Sequence, residues 1–197
     1  MSPPGQTGVE PGPDGKARCW WALSTPDYIE YHDSEWGRPL HGESGLFERL
    51  TLEAFQSGLS WLTILRKREN FRSAFDGFDI ESVADYGQRE VERLLGDAGI
   101  IRNRRKIEAT ITNARAAREL HASGETLDEL IWGFAPDADS RAAPETGSEI
   151  PATTEESKAM AKELKRRGFV FVGPTTAYAT MQAAGLVNDH LEGCAFR

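Results

Sequence analysis

The chain has 197 residues, a formal net charge of -8, 27% charged and 39% hydrophobic residues, and two cysteines. That balance excludes a wholly disordered chain and a polybasic nucleic-acid binder, and the length suits one domain with a real core. No run approaches the roughly 18 apolar residues of a membrane span, the first residues lack the apolar centre of a signal peptide, and two cysteines build no disulfide framework, so a cytoplasmic protein is expected.

Residues 1–17 hold Pro3, Pro4, Pro11 and Pro13 with Gly5, Gly8, Gly12 and Gly15 and almost no large apolar side chain, so they are expected to form a disordered N-terminal extension to a helical domain over 18–197. Aromatic residues begin abruptly after it, with Trp20, Trp21, Tyr28, Tyr31 and Trp36. Thr25-Pro26-Asp27 reads as N-cap, first-turn proline and early acid of a helix through Tyr28 and Tyr31. From Ser44 to about Gln56, Leu46, Phe47, Leu50 and Ala54 repeat at helical spacing and make one apolar stripe. Val91, Leu94 and Leu95 mark a helix stopped by a left-handed Gly99, and Ile107, Ile111, Ala114 and Leu120 mark the next. Further helices fit 126–133, 155–167 and 174–184. The segment 136–151, rich in Pro, Asp, Ser, Thr and Glu, reads as a long loop, and GFVFVG at 168–173 is the best strand candidate. With no internal repeat, the fold class is all-α.

Charge is uneven along the chain. Residues 136–158 hold six acids against Arg141 and Lys158, whereas 99–118 hold six basic residues against Glu108 alone, and RKRENFR at 66–72 adds four against Glu69. One such basic cluster is as often a solvated helix face; two favour a polyanion partner. The second cluster lies in VERLLGDAGIIRNRRKIEATI, which reads as helix, glycine turn, helix. Ile100 and Ile101 would plug the turn, and a helix starting near Asn103 would offer its N-terminal amides to a phosphate.

Two sets of residues carry chemistry. His190 and Cys194 are spaced H-x3-C, and Cys19 and His32 lie at the other end of the chain. Two thiols and two imidazoles are the donor set of a closed, structural tetrahedral zinc site; a buried free cysteine and a capping histidine remain the alternatives, with a terminal disulfide disfavoured in the cytosol. Glu53 falls at the edge of the apolar stripe, where a carboxylate needs an arginine partner, a proton or a cationic ligand. Its neighbours are SGLSW at 57–61, with Gly58, Leu59 and Trp61, and the Tyr31-His32 pair before Trp36. These aromatics are either core or the stacking walls of a pocket for a flat heterocycle.

Taken in order, CWW at 19–21, YIEYHDSEWG at 28–37, LEAFQSGLSW at 52–61, RKREN at 66–70, DAGIIRNRRKI at 97–107, KRRGFVFVGPTTAY at 165–178 and MQAAGLVNDHLEGC at 181–194 resemble the bacterial 3-methyladenine-DNA glycosylase I family, a branch of the helix-hairpin-helix DNA glycosylases. The resemblance spans residues 18–194, with departures at Ala54, Ser57, Asn103 and Arg105. It implies a helix-hairpin-helix fold whose ends are tied by one structural zinc ion (Zn2+) on Cys19, His32, His190 and Cys194. It implies a base pocket of Glu53, Tyr31, Trp61 and Trp21, with Trp36 and Tyr28 near it. Gly58 and Leu59 would fill the gap left by a flipped nucleotide. The hairpin, through Gly99, Ile101, Arg102 and Arg104, would clamp a phosphate.

The expected activity is a monofunctional, monomeric enzyme of base excision repair. It would excise 3-methyladenine from double-stranded DNA containing alkylated bases and leave an abasic site, with modest, steeply salt-sensitive affinity. Glu53 would recognise the cationic base, with Tyr31 hydrogen-bonding it and Trp61 stacking on it. The rival readings are a non-catalytic zinc-tied DNA-binding module, an enzyme acting on a free heterocycle, and a glycosylase of broader lesion range.

Overall fold

The computed structural model describes residues 8–137 and 141–197. Local capping sets most helix starts. The Thr25 hydroxyl accepts from the Tyr28 amide at 3.2 Å and opens α1 (Pro26–Ser34), with proline in the first turn. α2 is Glu43–Gln56, and Ser60 caps α3 (Trp61–Leu65). α4 (Arg68–Ala74), α5 (Ile80–Ala84) and α6 (Gln88–Gly96) follow. Asn103 caps the longest helix, α7 (Arg104–Ala122), and a Thr126–Glu129 capping box opens α8 (Leu127–Trp132). Thr154 caps α9 (Glu155–Arg166), and α10 (Pro174–Ala183) begins on proline. α7 packs along α5 and against α6, α9 lies on α10, and α2 touches α3, α5, α7, α8 and α10.

The stripe expected on α2 is a complete jacket instead. Every residue from Leu46 to Phe55 is buried, Glu48, Arg49 and Glu53 included, because neighbours cover the helix on all sides. The expected disorder of 1–17 is also corrected for its described part; residues 1–7 lie outside the described residues. β1 (Val9–Pro11) pairs antiparallel with β2 (Ala17–Cys19). Its glycines build the turn: Gly12 donates to the Lys16 carbonyl at 2.8 Å, and Gly15 has φ 79°. The hairpin is held to the C-terminus, where the Ala195 amide donates to Ala17 and Arg18 lies over the Phe196 ring. Composition signalled the turn residues, but the tertiary contacts decide that they are ordered.

Two more expectations fail locally. α6 ends at Gly96 rather than Gly99, and Gly99 is not left-handed. Its lack of a side chain serves close packing, since a Cβ there would meet the Asn70 side chain at 3.1 Å. Residues 168–173 form no strand, because Gly168 and Phe171 take φ of 93° and 62°, which break extended backbone. Of the loop expected over 136–151, residues 138–140 lie outside the described residues and the rest is irregular apart from a short 3-10 turn, Gly147–Glu149.

Candidate active site and metal centre

α1, α2, α3 and α10 converge on a cavity of about 300 Å3 lined by Trp21, Tyr28, Tyr31, Trp36, Glu53, Gln56, Trp61, Ala179 and Gln182. All six sequence-predicted pocket residues are therefore brought together. Trp21 stands edge-on to Tyr28 at 5.6 Å and to Trp36 at 5.0 Å, and Trp61 tilts against Tyr31 at 5.3 Å. The Tyr28 hydroxyl accepts the Leu62 amide at 3.0 Å and so fixes the start of α3. The Trp61 indole N–H is buried with no acceptor among the described residues. Gln56 could have been found from its i+3 position relative to Glu53 on α2, whereas Ala179 and Gln182 arrive only through tertiary packing. The Gln182 amide donates to buried Asp189 at 2.9 Å, and Asp189 also takes hydrogen bonds from Tyr178 and Arg141.

No arginine satisfies Glu53. Arg49 donates to Glu35, which also takes a two-point contact from Arg68 at 2.6 and 2.8 Å, and Arg72 grips Glu48 at 2.8 Å through two nitrogens. Glu53 has no hydrogen bond or ion pair to any described residue, and burial pushes its carboxyl up to about 8, opposed by the charge of Arg49. Burial, with the Glu53 charge second, also raises the Tyr31 hydroxyl. The pocket is thus an aromatic cage holding one unpaired acid, an arrangement that favours a flat cation.

A second hollow, of about 320 Å3, shares Glu53, Gln56 and Ala179 with the pocket and runs out between Ser57-Gly58-Leu59 and Thr175-Thr176. Gly58 has φ 82°, and this turn leaves Leu59 41% exposed at the rim. A residue that sequence reasoning missed holds this loop. Buried Lys106, on α7, donates to the carbonyls of Phe55 and Ser57 at 2.8 and 2.6 Å. Its position in a run of exposed basic residues disguised it as one more surface charge.

The hairpin between α6 and α7 buries Ile100 as its plug and half-buries Ile101. The Gly99 amide donates to Asp97 at 2.7 Å, so it is already engaged, and the Gly99 carbonyl accepts from Lys67 and Asn70. The backbone amides of Ile101, Arg102, Arg104 and Arg105 have no backbone acceptor among the described residues. Most of the basic residues counted in the sequence are occupied. Arg66 pairs with Asp27, Arg118 with Asp85 and Arg104 with Glu108, and Arg115 caps the Ala84 and Tyr86 carbonyls. Arg102 and Arg105 are exposed and form no ion pair with described residues.

Cys19, His32, His190 and Cys194 are all buried, and their four donor atoms lie within 4.8 Å of one another. His190 Nδ1 is 3.4 Å from Cys194 Sγ and 3.1 Å from His32 Nε2. The opposite ring nitrogens are also held: His32 Nδ1 by Asp33 at 2.8 Å and His190 Nε2 by the Trp36 carbonyl at 2.9 Å. Asp33 is in turn gripped by Arg18, which also binds Asp14 of the β-hairpin. Such outer partners orient imidazoles for a metal, and the group can hold one ion. The cluster touches the pocket wall, with His32 5.2 Å from Trp21 and His190 4.8 Å from Trp36.

Residues 21–197 match the methyladenine glycosylase family. The chain is 50% identical over 177 residues to DNA-3-methyladenine glycosylase 1 of Escherichia coli (strain K12), covering 90% of this chain and 95% of that relative. It is similar to a crystal structure of 3-methyladenine DNA glycosylase I, with a TM-score of 0.84 and 47% identity over 90% of this chain and 98% of the other. A variant of 3-methyladenine DNA glycosylase I solved in complex with 3-methyladenine matches with a TM-score of 0.84 and 32% identity, covering 89% and 94% of the two chains.

Proposed function

The chain belongs to the methyladenine glycosylase family, and from that premise we propose that it flips 3-methyladenine out of alkylated DNA into the pocket around Glu53 and releases it. The observation that carries this reading is a buried acid left without a partner inside an aromatic cage. An adenine methylated on N3 is cationic in DNA, so its glycosidic bond is already weak. When that bond breaks, the base leaves with the electron pair as neutral 3-methyladenine. Water adds to C1′, and its proton is lost to solvent. The enzyme's tasks are to unstack the base, select the cation and stabilise the cationic sugar.

Glu53 selects the cation and accepts from the exocyclic amine, Tyr31 hydrogen-bonds the base, and Trp61 stacks on its face between Trp21, Tyr28 and Trp36. Leu59, lifted by Gly58, fills the gap in the duplex. The amides of Ile101, Arg102 and Arg104, with the unpaired Arg102 guanidinium, take a phosphate. No lysine lines the pocket among the described residues, and Lys106, behind the Ser57-Gly58 turn, spends its ammonium on two backbone carbonyls, which supports a monofunctional enzyme that forms no Schiff base.

Zinc on Cys19, His32, His190 and Cys194 would supply folding energy, not chemistry, because four protein donors leave no open position. No helix among the described residues is long and apolar enough to cross a membrane. The similarity to bacterial DNA glycosylases supports a place on DNA in the cytoplasm, and one chain supplies both pocket and hairpin, so a monomer suffices.

Glu53→Gln should keep the fold and bind undamaged duplex normally, yet release 3-methyladenine at least about 100-fold more slowly, by analogy with removal of one transition-state charge contact. Release at the wild-type rate sinks the assignment.

A further inference from the structure

Among the described residues three large hydrophobic side chains are exposed: Leu59, Val170 and Phe171, the last two at 41% and 37%. Leu59 already has a role in the proposed function; Val170 and Phe171 have none. They sit in the irregular segment between α9 and α10. Phe171 has φ 62°, a conformation that a bulky side chain adopts only when its surroundings enforce it. Buried Asn113 fixes the residue before it, accepting from the Val170 amide at 2.8 Å and donating to the Val170 carbonyl at 3.1 Å. The structure therefore holds an aromatic ring outward in a strained conformation with two hydrogen bonds beside it.

The setting of the ring indicates its partner. Arg105, exposed in the first turn of α7, places its guanidinium 5.8 Å from the Phe171 ring centre, next to Arg102 and the open amides of the hairpin. On the other side, Gly173 and Pro174 lead directly into Thr175 and Thr176, which form the wall of the hollow facing Gly58 and Leu59. Phe171 thus lies against Arg105 on one side and, along the chain, four residues before Thr175 at the pocket mouth. A basic and apolar surface near a nucleotide-sized opening suits duplex DNA, since apolar wedges inserted beside a base step are a general way to hold it open.

We propose that Phe171, supported by Val170 and Arg105, is a second point of contact with the duplex: its ring presses on a base beside the lesion while Arg105 takes the adjacent phosphate. Leu59 and Phe171 then grip the distorted duplex from the two sides of the pocket mouth. This rests on the glycosylase reading and extends it to a surface outside the pocket.

The test uses a duplex carrying a tetrahydrofuran abasic-site analogue, read by fluorescence anisotropy. Phe171→Asn is the variant of choice, because asparagine tolerates the left-handed conformation and the fold is retained. Its affinity should fall about tenfold, within the range of one aromatic stacking contact, while free 3-methyladenine binds as in the wild type. Arg105→Ala should reduce the slope of log affinity against log salt by about one. Wild-type affinity in Phe171→Asn overturns the proposal, as does a loss confined to self-association in the ultracentrifuge, which would make the face an interface between copies. If the wild-type chain released no 3-methyladenine, the glycosylase reading would fail instead, and the analogue titration would still decide the role of Phe171.

Discussion

At Glu53 a carboxyl sits within one helical turn of Arg49, yet the arginine is turned to Glu35. Burial then acts almost unopposed. The folded chain holds the Glu53 proton up to about 8, whereas the unfolded chain releases it near its ordinary value of 4.5. The folded state binds more protons between those values, so this residue makes stability fall as pH rises from about 4.5 to about 8. Glu53→Gln should remove that slope and raise the melting temperature at pH 8 and above. The gain is at most about 5 kcal/mol, since each tenfold change in proton affinity corresponds to about 1.4 kcal/mol. Thermal melts of both proteins from pH 5 to 9 measure it, and an unchanged difference across that range would show that Glu53 does not carry the proton. A cationic base in the pocket reverses the preference and favours the carboxylate, so substrate binding near pH 7 should expel a proton.

Between elements, Lys106 ties α7 to the end of α2. Its ammonium satisfies two carbonyls just before Gly58, and burial pulls its pKa down without a counter-charge in hydrogen-bond range. Lys106 therefore ties the first turn of α7 to the end of α2, just before the Leu59 loop. Lys106→Met should leave free-base binding in place and weaken flipping, seen as a smaller 2-aminopurine fluorescence rise opposite a lesion. A flipping signal equal to wild type would separate the two elements. The Asn103 cap is the other local device. Asn103→Ala should cost about 1 kcal/mol in chemical denaturation, and it should loosen the open amides at the start of α7.

Over the whole molecule, the buried cluster of two cysteines and two histidines joins the two ends of the fold and backs the Trp21 and Trp36 walls of the pocket. A strong chelator should lower the melting temperature and elemental analysis should find about one zinc per chain; a metal-free protein with an unchanged melt would remove the assignment. Asp33→Asn should weaken zinc binding about 10- to 100-fold, because Asp33 orients His32. The net charge of -8 bears on DNA less than its distribution does. With Arg66, Arg68, Arg72 and Arg118 in ion pairs, the unpaired cations of the two basic clusters concentrate at Arg102 and Arg105. The salt slope of duplex binding should accordingly be about -2 to -3, shallower than the basic clusters suggest.

The sequence by itself determined where α1, α7, α8 and α9 start, because capping at Thr25, Asn103, Thr126 and Thr154 is written in neighbouring residues. It also picked out the four Cys and His residues that cluster and the six aromatic and acidic residues that line the pocket, through an ordered series of motifs that resembles one family. Long-range packing decided the rest. Whether Glu53 is paired depends on where Glu35 and Glu48 draw the arginines, and whether a basic residue is free depends on acids tens of residues away. Lys106 looks like its exposed neighbours in sequence and is buried by tertiary contact alone, while Gln182 and Ala179 enter the pocket only when α10 docks on α2. The N-terminal glycines and prolines spell a turn locally, and only the C-terminus folded against them supplies contacts that offset the entropy of ordering it. Local propensity acts over three or four residues, whereas burial and ion pairing are properties of the assembled surface.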